Sequence, residues 1–133
     1  MAIQVKKPLR HFVDLSLAFS PHPLTGDLPV LRDVRAINAS LKNCIMISLT
    51  EKPFDMDFGS QIQTLLFEMF DSGVMSILDD VIRNAVLQEP RVELLDLLLD
   101  PKEETNEVRI QLDYKIVGYE ETYVFTHLLT PTR

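Results

Sequence analysis

Cysteine is nearly absent from this 133-residue chain, with Cys44 alone. It cannot close an internal disulfide, and its place in an apolar, helix-spaced run predicts a buried thiol. Glycine is also scarce, with four residues, and none forms part of a phosphate-cradling loop. The three histidines, His11, His22 and His127, lie in separate segments, and no spacing brings two onto one metal ion. No metal and no cofactor is therefore expected. Positive charge is in deficit: 13 Lys and Arg stand against 20 Asp and Glu, for a net charge of −7. A general nucleic-acid binder needs clustered cations for phosphate, so no nucleic-acid partner is expected. The only basic cluster is Lys6, Lys7, Arg10 and His11, read plainly as solvated, and residues 1–10 are read as a flexible N-terminal arm. No run approaches the ~18 uninterrupted apolar residues of a membrane span. The N-terminus also lacks the continuous apolar stretch of a secretory signal. The chain is expected to be made and folded in a cytoplasm.

What is present is ordinary globular composition, 46% apolar and 25% charged, long enough to bury one core over residues 1–133. Phe12 to Leu17 alternates and reads as a strand. The next stretch, Ser20 to Asp27, holds Pro21 and Pro23 and reads as a loop. Asp33 is placed to cap a first helix whose apolar positions run Leu31, Val34, Ile37, Leu41, Cys44, Ile45 and Ser48. Glu51 to Gly59 reads as a loop whose aromatics, Phe54 and Phe58, plug the core. Ser60 is expected to cap a short second helix with Ile62, Leu65, Leu66 and Met69 on its apolar face. Asp71 or Ser72 caps a third, with Val74, Ile77, Leu78, Val81, Ile82 and Ala85 inward and an Asp79/Arg83 pair of minor value.

The last third reads as β. Val108, Ile110, Leu112, Tyr114 and Ile116 alternate with Arg109, Gln111, Asp113 and Lys115, the clearest half-buried strand in the chain. Arg91 to Asp100 reads as a strand of mixed burial. Thr122 to Leu128 makes a final strand with Tyr123, Phe125 and His127 on one face. The order predicts an α+β domain, with three helices packed on one face of a mainly antiparallel sheet.

Glu89-Pro90-Arg91 joins the third helix to the first strand of that sheet. Proline lacks an N–H and disfavours helical geometry before it, so the helix must stop near Gln88 or Glu89. A carboxylate and a guanidinium then flank one stiff residue. The plain reading is helix punctuation with a surface ion pair of little worth. The alternative is a charged elbow displayed to a partner.

Six segments tip that balance: His22-Pro23-Leu24-Thr25-Gly26-Asp27, Arg35 to Asn43, Pro53-Phe54, Phe58-Gly59-Ser60, Leu65-Leu66-Phe67-Glu68, and Glu89-Pro90-Arg91-Val92. In this order and spacing the chain resembles the baseplate-wedge family of contractile phage tails, which includes a type VI secretion baseplate subunit. The sequence departs from the family in lacking a Gly before Pro53-Phe54 and in carrying Met56 where the family has Pro, so a shorter loop is expected.

The resemblance implies a sheath-like handshake domain in the tail baseplate of a virion, assembled in the host cytoplasm. It implies two partners: the helical core bundle of other wedge proteins, bound through Glu89, Pro90 and Arg91, and the tail sheath protein. For the sheath, one of the two terminal strands, Phe12 to Leu17 or Thr122 to Leu128 with Tyr123 and Phe125, is expected to be left as an edge for strand addition. Arg91→Ala is thus expected to impair assembly more than folding. A type VI secretion subunit is the rival within the family. A cell-wall glycosidase is the rival from another class, since some family members have been described as tail lysozymes. Catalysis requires positioned groups with matched pKa values, and no such set is visible. Glu89 beside Arg91 is expected to stay ionised rather than act as an acid. The chain is expected not to be an enzyme.

Overall fold

The computed structural model describes residues 11–16, 20–68 and 70–131. The expected N-terminal arm therefore lies outside the described residues, as do Leu17, Met69 and the last two residues. Along the chain run β1 (Val13–Leu15), β2 (Val30–Arg32), α1 (Val34–Met46), α2 (Ile62–Leu65), α3 (Ser72–Leu87), β3 (Val92–Lys102), β4 (Glu107–Ile116) and β5 (Thr122–Leu129). This is an α+β fold, and every pairing between named strands is antiparallel. β4 is the middle strand of a three-stranded sheet ordered β3-β4-β5.

The alternation in β4 is realised along its length. Val108, Ile110, Leu112, Tyr114 and Ile116 are all buried. They face Ile37, Leu41 and Ile45 of α1, Ile62 and Leu66 at α2, and Leu78, Ile82 and Val86 of α3 in one apolar cluster. The Tyr114 hydroxyl donates to Asn38 Oδ1 and ties α1 to the sheet centre. β3 obeys the same rule with one interruption. Leu94 pairs with Tyr114, yet Asp96 pairs with Asp113, so Leu95 is an extra residue at a bulge. The bulge changes phase: Val92 and Leu94 point inward before it, Leu97 and Leu99 after it. This is why Leu94 to Leu99 reads as mixed from sequence.

Three local expectations are corrected. First, Leu31 is not in α1. It lies in β2, which pairs with β1 in a separate two-stranded sheet. Pro29 and the apolar pair Val30-Leu31 merge with the helical pattern downstream, which hides this strand in the sequence. Second, Asp33 stands before α1 but does not cap it. Its φ of 50° and ψ of −117° turn the carboxylate away from the helix. It accepts instead from the Phe12 amide at 3.3 Å, the Tyr119 hydroxyl at 2.9 Å and His11 Nδ1 at 3.3 Å. Third, Ser60 donates to Ile45 O at 2.8 Å, and Gln61 occupies the N-cap of a four-residue α2. Asp71 does cap α3, accepting from Val74 N at 2.8 Å.

The loop between α1 and α2 also departs from expectation. Phe58 is half-buried beneath Lys52, whose Nζ lies 4.1 Å from the ring centroid. Phe54 is fully exposed, so it plugs nothing. Its φ of 68° projects it from the loop tip.

Candidate functional site

The elbow is built from the end of α3. The helix stops at Leu87, with Gln88 as C-cap, and Pro90 blocks any continuation. Pro90 is exposed, whereas Glu89 is only 5% exposed. A carboxylate that deep must be paired, and Arg91 pairs it with two parallel bonds. Arg91 Nε donates to Glu89 Oε1 at 2.8 Å, and Nη2 donates to Oε2 at 2.9 Å. The Arg91 amide adds a bond to Oε1 at 3.1 Å, and the Ser40 hydroxyl of α1 donates to Oε2. Burial pushes the Glu89 carboxyl up, but the Arg91 guanidinium and amide and the Ser40 hydroxyl outweigh it and hold it below the ordinary range. The carboxyl is thus ionised, and the pair is an internal clamp rather than a surface ion pair.

The clamp extends beyond α1 and α3. Arg91 Cζ lies 5.3 Å from the Phe12 ring centroid, and Phe12 stacks on Tyr119 with centroids 6.1 Å apart. Tyr119 in turn binds Asp33, so the N-terminal hairpin, the α1 start and the β4–β5 turn converge on this elbow. The Tyr119 hydrogen bond leads the interactions that hold Asp33 below the ordinary carboxylate range. Cys44 is nearby in electrostatic terms: burial first and the Glu89 charge second push its thiol up to about 11. That thiol is buried and inert, as the sequence predicts. The arrangement bears on one expectation: because Arg91 satisfies a buried carboxylate, Arg91→Ala is expected to cost folding stability as well as any partner contact.

Tyr123 and Phe125 sit on β5. Phe125 is buried in the core, and Tyr123 is partly buried against it. Their rings are spent within the chain, so a partner meeting β5 side by side would meet its backbone. Among the described residues β5 is an edge strand, paired only with β4 within its sheet. The other edge, β3, carries the Leu95 bulge, Pro101 and charged Glu93, Asp96, Asp100 and Lys102. Those are the usual guards against edge pairing. β5 pairs with β4 over eight consecutive positions without a register shift. It carries no proline and no Asp, Glu, Lys or Arg.

No group of three or more His, Cys, Asp or Glu is placed to hold a metal ion among the described residues. No helix among them is long and apolar enough to cross a membrane. His127 stacks on Phe125, and burial, with the Lys42 charge, lowers its pKa.

No curated protein matches the sequence. Several solved structures share the fold, and two illustrate it. A candidate tail lysozyme from Geobacter sulfurreducens is 19% identical, with a TM-score of 0.64, covering 73% of this chain and 89% of its own. A chain in the anti-feeding prophage baseplate, determined by cryo-electron microscopy with sixfold symmetrisation, is 15% identical, with a TM-score of 0.63, covering 92% of this chain and 88% of its own. The family described as baseplate wedge protein gp25 matches residues 31–120, a span that holds the buried elbow and most of the helical layer, and the chain belongs to that family.

Proposed function

We propose that this baseplate protein links the wedge core to the first sheath ring and starts sheath assembly. The observation that carries the reading is the unguarded backbone edge of β5. A strand from the sheath protein would extend the sheet there, gaining ladder hydrogen bonds with little demand on side-chain identity. The Glu89-Pro90-Arg91 elbow, about 30 residues upstream and internally braced, would seat on the helical bundle formed by other wedge proteins, with exposed Pro90 at its crest. Tyr123 and Phe125 would hold β5 flat against the helices while its outer edge is filled.

Hydrogen exchange tests the edge. Alternate β5 amides should exchange readily in the isolated chain and become strongly protected in complex with sheath protein. Equal protection in both states would mean that another surface receives the sheath.

The likeness to a candidate tail lysozyme raises a lytic reading, and we infer that the chain has no such activity. A glycosidase needs an acid with a raised pKa facing a second carboxylate across a sugar cleft. Glu89 and Asp33 are both held low, and both are engaged within the fold. Purified chain incubated with peptidoglycan should leave turbidity and reducing-sugar release unchanged. Hydrolysis abolished by a single carboxylate substitution would reverse this conclusion.

A further inference from the structure

The tip of the loop between α1 and α2 is unfavourable for the isolated chain in two ways. Phe54 holds a left-handed φ of 68°, a conformation uncommon for a bulky residue. Its ring is fully exposed, and Met56 beside it is 69% exposed. Glycine or asparagine would fit the backbone at less cost, and neither the strain nor the exposure is offset by any burial.

The loop is nevertheless held firmly at its base. Thr50 N donates to Met56 O at 3.1 Å, closing the tip. Gln88, next to the buried Glu89, accepts from Gly59 N at 3.0 Å and donates to Gly59 O at 3.1 Å. Gly59, with φ of 121°, lies so close to the segment just after α1 that a Cβ would meet Ile47 O and Ser48 O at 2.7 Å. One helix end therefore braces both the elbow and the Phe54 tip. The tip also has a charge. Glu51, Asp55 and Asp57 stand against Lys52 alone, and Lys52 is paired with Asp55 at 3.3 Å.

We propose that Phe54, with Met56, is an anchor that enters an apolar pocket with a basic rim on a neighbouring protein of the baseplate. This surface is separate from the elbow and from β5, and the inference rests on the baseplate reading above. A buried aromatic filling a desolvated pocket is the usual centre of an interface, and the acidic flanks select a cationic rim. A second copy of this chain is a poor fit, because its net charge of −7 sets acid against acid.

Hydroxyl-radical footprinting of the purified full chain and of purified baseplates containing it tests the proposal without a variant. Phe54 and Met56 should oxidise readily in the free chain and be protected in the baseplate. A competition adds the energetics. With wild type and Phe54→Ser supplied equally during assembly, wild type should be incorporated in about thirtyfold excess, the scale of one aromatic anchor. Phe54→Leu should recover part of that loss, and free-chain melting should be unchanged in both variants. Incorporation with Phe54 and Met56 still fully oxidisable would overturn the anchor and leave the baseplate role intact. Failure of wild-type chain to enter baseplates at all would overturn the baseplate role itself. A dimer of the free chain that Phe54→Ser dissolves would overturn the choice of a different protein as the occupant.

Discussion

Arg91→Ala is expected to destabilise the folded chain by about 3 kcal/mol, the low end of the range for breaking a buried ion pair. The low end applies because the Arg91 side chain is 27% exposed, so water can reach part of the space it leaves. The loss is mostly the burden of an unpaired carboxylate at Glu89, not the removal of an attraction. Two further outcomes separate this cause from a generic packing defect. The first is pH dependence. In the wild type Glu89 is held low, so its contribution is full above the unfolded-state pKa and fades as pH falls through the folded value. Without the guanidinium, burial is opposed only by the Ser40 hydroxyl and the backbone amide, so the folded pKa is expected to rise from its wild-type position. The variant then gains relative stability on acidification, so the gap between the two proteins should narrow as pH drops. A gap independent of pH would assign the defect to lost Phe12 contact instead.

The second outcome is rescue. Glu89→Leu with Arg91→Met removes both charges and keeps the volume, and stability should return close to wild type. That double variant also isolates the elbow's outward role. If it folds and still fails to enter wedges, the charged pair serves a partner. If it assembles normally, the clamp is internal only. Denaturant midpoints across pH 4 to 8, with an assembly assay on the rescued protein, decide between these.

The helices and the central strand were legible because each repeats one period along its own length. α3 announces itself through Asp71, Leu78, Ile82 and the stop at Pro90, and β4 through five inward apolar residues. What stayed hidden depends on distant partners. Asp33 has the residue type and position of a helix cap, and only the arrival of Phe12 and Tyr119 shows where its carboxylate goes. Glu89 looks like a surface acid until Ser40, 49 positions earlier, is brought against it. The Leu95 bulge leaves no local mark, since either neighbouring leucine could carry the extra residue. Phe54 misleads for the opposite reason: an aromatic in a short loop normally serves its own core, and only backbone geometry shows this one turned outward.

Leu112→Ala is expected to cost about 2–5 kcal/mol, the range for truncating a buried leucine, and to fall in its upper half. Leu112 is fully buried and sits at the middle of the sheet, opposite Leu97 on β3 and Phe125 on β5. Hydrogen-bonded neighbours on both sides hold the backbone in place, so the cavity cannot collapse by moving a strand. Helices α1 and α3 close it from the other side. Gln111, one residue away, points to the opposite face and pairs with Leu98 and Thr126. Gln111→Ala should therefore stay within about ±0.5 kcal/mol, as for most surface substitutions. The contrast between adjacent positions is the measurement: two denaturation curves on the same strand. A Leu112→Ala midpoint near wild type, with a large loss at Gln111, would mean that the strand faces the other way. The inward set from Val108 to Ile116 would then be the solvent face, and the helices would have to pack on the other side of the sheet.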